Sequence, residues 1–338
     1  MTIYNPYEFV QIDWANPGDR RPAPAHDRFS GISGRLAGTI TPLTPLFIPD
    51  KRTLNPQRFI QAVVGRDHMP IIPGASLKGL FRNLVETVSG GAFWFCSEEG
   101  GLPLKFRKPG DSTQLDAAGR MFGFLERANV HAGNVTFTDA YCQKPVEHPA
   151  IYTCVLSGPK TRHRVWYFDR EGNVAGRKFY FHSDALRTER GMIGKNQNAY
   201  IKPVGVGSGF TFAANFTNVA PDDFALLLYA LVLEPTMRHK LGYAKPAGLG
   251  SIHVQLTAIE TIDYPARYRT GGGSTHYAGA TLAPFVDAQL ASFVTNQTSP
   301  TLRDLRRIWQ WPALYTLRYP TQQWFEEHPT APISATEG

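Results

Sequence analysis

The chain has 338 residues, 42% of them hydrophobic and 19% charged, a balance that excludes both a disordered chain and a membrane-embedded one. Thirty-five Lys and Arg against 28 Asp and Glu leave a net charge of +7, which favours a polyanionic partner. Three cysteines, Cys96, Cys142 and Cys154, are too few for a disulfide framework, and the first residues lack the basic start and apolar run of a secretory signal, so a cytoplasmic protein is expected, with no membrane partner.

Taken in chain order, Gly34 to Ile48 reads as a strand ending in a proline-punctuated loop. Met69-Pro-Ile-Ile-Pro-Gly then leads into a helix whose Leu77, Leu80, Phe81, Leu84, Val85 and Val88 recur at the spacing of a buried stripe, with Ser76 as N-cap and Ser89-Gly90-Gly91 as stop. Gly133 to Tyr141 and Gly209 to Thr217 alternate like half-buried strands. A second helix, Asp222 to Glu234, precedes a glycine-rich loop and the strand Ser251 to Glu260. The order β-α-β…β-α-β is that of a ferredoxin-like (RRM-like) fold of the α+β class, interrupted by long insertions. Beyond Tyr264 come a flexible GGGS stretch, a helix around Thr301 to Trp309 and about ten unpaired residues.

Charge is concentrated. Between Lys160 and Lys195 nine Lys and Arg face four acids, which gives +5 of the total +7. Within that window, residues 164–168 and 177–182 read as two strands joined by the turn-rich DREGNVAG, a hairpin on which Arg162, Arg164, Trp166, Arg177, Lys178 and Tyr180 interleave. Cations hold a phosphate backbone and aromatic faces stack on unpaired bases, so the mixture suits single-stranded nucleic acid. The alternative is a solvated hairpin whose aromatics cover the core.

Two loops suit anions. Pro73-Gly74-Ala75-Ser76-Leu77-Lys78 turns into a helix N-terminus, and Lys78 and Arg82 follow on the polar face, a phosphate seat without the nucleotide-triphosphate pattern. Gly242 to Gly250 offers Lys245, with Arg238, His239 and Lys240 just before it, and Gly248 and Gly250 permit close backbone approach.

The strings IPGASLKGLFR, MFGFLERANVHAGNVTFTDA, GRKFYFH and LGYAKPAGLGSIHV, in this order, resemble the RAMP superfamily, the proteins that build CRISPR effector complexes, and especially the Cas-seven-type backbone subunit of type III and type VII complexes, the III-D lineage among them. The resemblance implies an N-terminal extension over 1–33, a ferredoxin-like palm over 34–260 with a thumb-like hairpin at about 155–205, and a C-terminal extension over 261–338. It also implies partners: a CRISPR guide RNA, a target RNA, further copies of the chain in a filament, other effector subunits, and a separate nuclease where the backbone itself does not cut. Gly74, Ser76, Lys78 and Arg82 would hold guide phosphates, and Gly248 and Gly250 would lie against the RNA.

In type III relatives an aspartate in the loop after the first strand, behind a glycine run, is needed for target cleavage. Here that stretch reads Leu46-Phe47-Ile48-Pro49-Asp50-Lys51-Arg52: the glycines are absent, Asp50 sits near the expected place, and Lys51 and Arg52 could clamp a phosphate. Asp67 is a second acid nearby. Cys142, His148 and Cys154 at six-residue intervals, joined by Cys96, would complete an N/S set for structural zinc, which III-D relatives carry. Two functions follow: a non-catalytic RNA-binding subunit, which requires no cofactor, or an endoribonuclease acting through Asp50 with a divalent ion. A guide-processing endonuclease using His68 or His131 is a third.

Overall fold

The computed structural model describes residues 3–50, 59–94, 96, 101–156, 167–168, 171–183, 185–193, 198–294, 299–317 and 322–328. The largest sheet has eight strands: β1 (Ile32–Pro42), β2 (Ile71–Ile72), β3 (Val135–Phe137), β4 (Ala140–Lys144), β5 (Gly209–Val219), β6 (His239–Lys240), β7 (Ser251–Ile262) and β8 (Ser274–Ala278). β1 is central and antiparallel to both β5 and β7. β5 carries β3 and β4 on its far side, and β7 carries β6 at its start and β8 at its end. Helix α1 (Gly74–Val88) lies between β2 and β3, α2 (Ala117–Phe122) precedes β3, and α3 (Pro221–Val232) follows β5. If β3 and β4 are taken as one broken strand, the chain runs strand, helix, strand, strand, helix, strand, and the strands stand side by side as fourth, first, third and second.

Side chains alternate across a strand, so a period-two apolar pattern gives the sheet one buried face. Leu36 and Ile40 of β1, Phe210, Phe212 and Phe216 of β5, and Ile252 and Val254 of β7 form it. Leu77, Phe81 and Leu84 of α1 and Phe224, Leu227 and Leu228 of α3 join them in one core, each contributing roughly 1.5–3 kcal/mol of burial. Arg35, Thr211, Asn215, Gln255 and Thr257 occupy the alternate positions and are exposed. Among the described residues four further helices follow, α4 (Tyr264–Thr270), α5 (Leu282–Val294), α6 (Pro300–Ile308) and α7 (Gln322–Glu327). Both ends of the chain enter the same core, with Val10 from one and Leu305, Ile308 and Trp309 from the other. No helix among the described residues is long and apolar enough to cross a membrane.

Several expectations need correction. Helix α1 begins at Gly74 after Pro73, so Ser76 lies in the first turn and is not the cap. The expected strand over 133–141 breaks at Thr138, whose N–H and hydroxyl both bond to the Ala213 carbonyl. The glycines of GGGS are a turn rather than a linker, because β8 begins at Ser274 and pairs with β7 over Ala258 to Ile262. Among the described residues the expected hairpin is a short return, in which Phe168 bridges Val174 and the Ala175 N–H donates to the Tyr167 carbonyl at 2.8 Å. Arg177–Tyr180 pairs with Tyr7–Val10, Lys178 opposite Phe9, while residues 164–166 of the expected hairpin lie outside the described residues. Phe179 and Phe181 are consequently core residues.

Three strands of the insertion after β4 and one from the segment between β1 and β2 build a second, smaller sheet in the order Thr188–Glu189, Ile151–Thr153, Tyr200–Ile201, Phe59–Ile60. Its apolar side chains pack with Phe47, Ala244, Ala247 and Leu249, so the glycine-rich loop is held in a core of its own.

Candidate nucleic-acid interface

The glycine-rich loop is fixed by backbone bonds. The Leu241 N–H donates to the Gly250 carbonyl (2.8 Å), the Gly250 N–H to the Pro45 carbonyl (2.9 Å) and the Tyr243 N–H to the Phe47 carbonyl (2.9 Å), tying the loop to the segment after β1. Gly248 and Gly250 have φ of +95° and +82°. A Cβ on Gly250 would lie 1.8 Å from the Leu241 carbonyl oxygen, and one on Gly248 2.5 Å from that of Ala185. Expected to let RNA approach, both glycines are already required by the chain's own backbone. Gly250→Ala is therefore expected to destabilise the protein by about 2 kcal/mol or more, read as a lower denaturant midpoint.

The loop presents Lys245, whose Nζ donates to the Gly242 carbonyl at 3.0 Å and stands 5.3 Å from the centre of the Tyr180 ring. Lys178 Nζ stands at the same 5.3 Å from that ring and 3.5 Å from the centre of Tyr7. Two segments that the sequence treats as separate sites thus meet around one tyrosine. Deeper lies Lys240, only 4% exposed, whose Nζ donates to the Ser251 hydroxyl at 3.2 Å. His182 continues the chain, with Nδ1 2.8 Å from Ser251 Oγ and Nε2 2.9 Å from the Arg238 carbonyl. A carbonyl can only accept, so Nε2 carries the proton and Nδ1 accepts from the Ser251 hydroxyl.

Among the described residues no carboxylate pairs with Lys178, Lys240 or Lys245. Burial, and next the charge of Lys245, push Lys178 down to about 8 and Lys240 down to about 7. Burial lowers Lys245 too. His182 is pushed down to about 3 by burial first and by Lys240 second, so it is neutral at pH 7.

Residues 39–253 match the RAMP superfamily model, a span that includes α1, the glycine-rich loop and all three lysines. The chain belongs to the RAMP superfamily. No curated protein matches it in sequence. Among solved structures it is similar to a chain in the Csm3-Csm4 subcomplex of the type III-A CRISPR-Cas interference complex, at 15% identity and a TM-score of 0.39, with 78% of this chain and 96% of that one covered.

Other expected RNA contacts of this RAMP protein are engaged internally. At the start of α1 the Gly74 N–H donates to Asp139 Oδ1 at 2.8 Å, so the protein's own carboxylate occupies the place expected for a phosphate. Lys78 is half-buried and lowered, first by burial and then by Arg82. Arg82 does not project outward: its Nε donates to Glu86 Oε1 (2.8 Å), its Nη1 to the Gly123 carbonyl (3.0 Å), and its guanidinium lies 4.8 Å from the Trp94 ring. Arg177 is likewise a structural cation. It meets Glu86 Oε2 at 3.2 Å, donates to the Gly91 and Ala92 carbonyls at 2.9 and 2.8 Å, and covers the Phe93 ring at 3.9 Å. Burial raises the Glu86 carboxyl and lowers the Arg177 guanidinium, and their contact opposes both shifts.

Lys51, Arg52, Arg162, Arg164 and Trp166 lie outside the described residues. Asp50 is half-buried, its N–H donating to the Gln61 carbonyl at 2.8 Å. Asp67 caps its own turn by accepting from the Met69 N–H at 3.1 Å. His131 is buried against the Arg120 carbonyl, away from the lysines. The four zinc candidates do not assemble: Cys142 sits in the main core, Cys154 packs against the second core, Cys96 lies near Arg177, and His148 Nδ1 faces the Pro149 carbonyl at 2.8 Å. Among the described residues no three His, Cys, Asp or Glu stand together as a metal site. Burial raises Cys142, and raises Cys154 to about 11, so both are thiols at pH 7.

Lys240 and Asp139 are the contributors with the weakest signal in the sequence. Lys240 was visible only as the end of an Arg-His-Lys run, and Asp139 had no signal beyond following a strand.

Proposed function

We propose that this chain is an RNA-binding backbone subunit of a CRISPR effector complex, polymerising along a guide RNA and presenting it for pairing with target RNA. RAMP membership supports the class of assembly. The observation that carries RNA binding is the meeting of Lys178 and Lys245 at the Tyr180 ring, ammonium groups for a phosphate chain beside a face for an unpaired base. The fourth, first, third, second strand order supports a ferredoxin-like palm, and the insertion over about 155–205 is the segment for a thumb. The lineage we favour is III-D-like or type VII, in which other effector subunits surround the filament and a separate nuclease does the cutting.

On this reading Asp50 does not cut. Its backbone is paired with Gln61, and Pro49 before it has no N–H to offer a phosphate. In gel-shift titration the full chain should bind single-stranded guide RNA in successive steps, several copies per strand, and absence of binding would overturn the proposal. Asp50→Ala should leave target cleavage by the complete complex unchanged. Regularly spaced cuts by the nuclease-free chain and guide that vanish in Asp50→Ala would make the endoribonuclease reading correct.

A further inference from the structure

We propose that Lys178, Lys240 and Lys245 form a single seat for one phosphate group of an RNA backbone, with Tyr180 at its side and the Ser251–His182 pair behind it. This rests on the RNA-binding reading above and adds the position of one phosphate and the residues that hold it.

Four observations carry the seat. First, its lysines come from three elements, the strand Arg177–Tyr180, β6 and the glycine-rich loop, so it exists only once the chain is folded. Second, none has a carboxylate partner among the described residues, although buried charges are ordinarily paired. The arginines nearby show the ordinary arrangement, since Arg82 and Arg177 share Glu86 and Arg120 is held by Asp223 through two bonds of 2.7 Å. Third, Lys240 is nearly inaccessible, and the group that its Nζ meets among the described residues is a neutral hydroxyl. That hydroxyl spends its proton on His182, so it offers Lys240 a lone pair but no charge. Fourth, exposure is graded, with Lys178 and Lys245 half-buried and Lys240 fully buried, the order a phosphate entering from solvent would meet. The missing counter-charge of this cluster is an anion, and a phosphodiester oxygen supplies it while the attached base reaches Tyr180.

The test uses the full chain with two probes, an unstructured oligouridylate followed by fluorescence anisotropy across a salt series, and inorganic phosphate followed by thermal shift. Lys178→Gln and Lys245→Gln are compared with Lys144→Gln, an exposed lysine on β4. Each seat variant should bind the oligouridylate about tenfold more weakly and lower the log–log salt slope by about 0.7, while Lys144→Gln matches wild type. Phosphate should raise the wild-type melting temperature, and this gain should shrink in both seat variants. Wild-type RNA binding with an unchanged slope in folded Lys178→Gln and Lys245→Gln would overturn the seat and leave the RNA-binding reading standing. Absence of RNA binding with lysine-dependent stabilisation by phosphate would overturn the RNA-binding reading and leave an anion seat. Loss of both responses in wild type would overturn both. A phosphate shift equal in all variants would overturn the seat, marking the ion as adventitious.

Discussion

Arg177→Met should destabilise the fold by about 3–5 kcal/mol and leave the RNA affinity of the folded fraction unchanged. Methionine keeps the length of the side chain but removes the cation from a buried site where it serves Glu86 and two carbonyls. Glu86, itself buried, would then depend on Arg82 alone, and the Gly91 and Ala92 carbonyls would lose a donor. The loss should be partly recovered in the double variant Arg177→Met, Glu86→Gln, because the unpaired negative charge is then gone as well, and the coupling should exceed 1 kcal/mol in a double-mutant cycle. Denaturant midpoints for the four proteins measure it. An unchanged midpoint together with weakened RNA binding would return Arg177 to the interface where its sequence context had placed it.

Arg177 also shows where sequence stops being informative. The elements with strong local periodicity were legible: the stripe of α1, the alternation of β1, β5 and β7, and helices α3 and α6 all lie within a few residues of their expected positions. Arg177-Lys178-Phe179-Tyr180 was equally legible as a strand, but its partner was not, because Tyr7–Val10 lies far away in sequence and the turn-rich DREGNVAG offered a nearer candidate. Once paired, the strand's period of two sends Phe179 inward and Lys178 and Tyr180 the other way, while Arg177 passes to the Glu86 carboxylate on α1. Local charge counting cannot separate these outcomes, since a solvated arginine and a buried one are the same letter. The same limit hid the lysine seat: in the sequence Lys178 and Lys245 are basic positions of two separate segments, and their convergence with Lys240 depends on how those segments pack.

Lys240→Met should make the RNA-free protein more stable than wild type, an unusual outcome for a nearly inaccessible residue. Lys240 falls from an ordinary 10.5 to about 7 in the fold. Between those values the unfolded chain holds a proton that the native state has released, so stability rises as pH increases through that window, and below about 7 the full penalty of a buried ammonium applies. One unit corresponds to about 1.4 kcal/mol, and allowing for relaxation of the site we expect Lys240→Met to gain roughly 2–4 kcal/mol near pH 6, the gap closing towards pH 10. The groups facing Lys240 do not obscure the measurement. His182, at about 3, and His239, at about 4, remain neutral throughout, and Lys245 is the neighbour whose charge opposes that of Lys240. Ser251 keeps its bond to His182 in the variant, so no buried hydroxyl is stranded.

RNA reverses the preference, because a phosphate in the seat favours the protonated lysine. Binding should therefore take up protons, and wild-type affinity should fall between about pH 7 and 9, partly through Lys240 and partly through Lys178. Lys240→Met should flatten that fall to the share belonging to Lys178, while binding more weakly near pH 6. Denaturant titrations and anisotropy at matched ionic strength separate the two effects. Wild-type stability that does not change between about pH 6 and 9, with Lys240→Met less stable than wild type, would mean that Lys240 already has its counter-charge within the protein, and the phosphate seat would be lost with it.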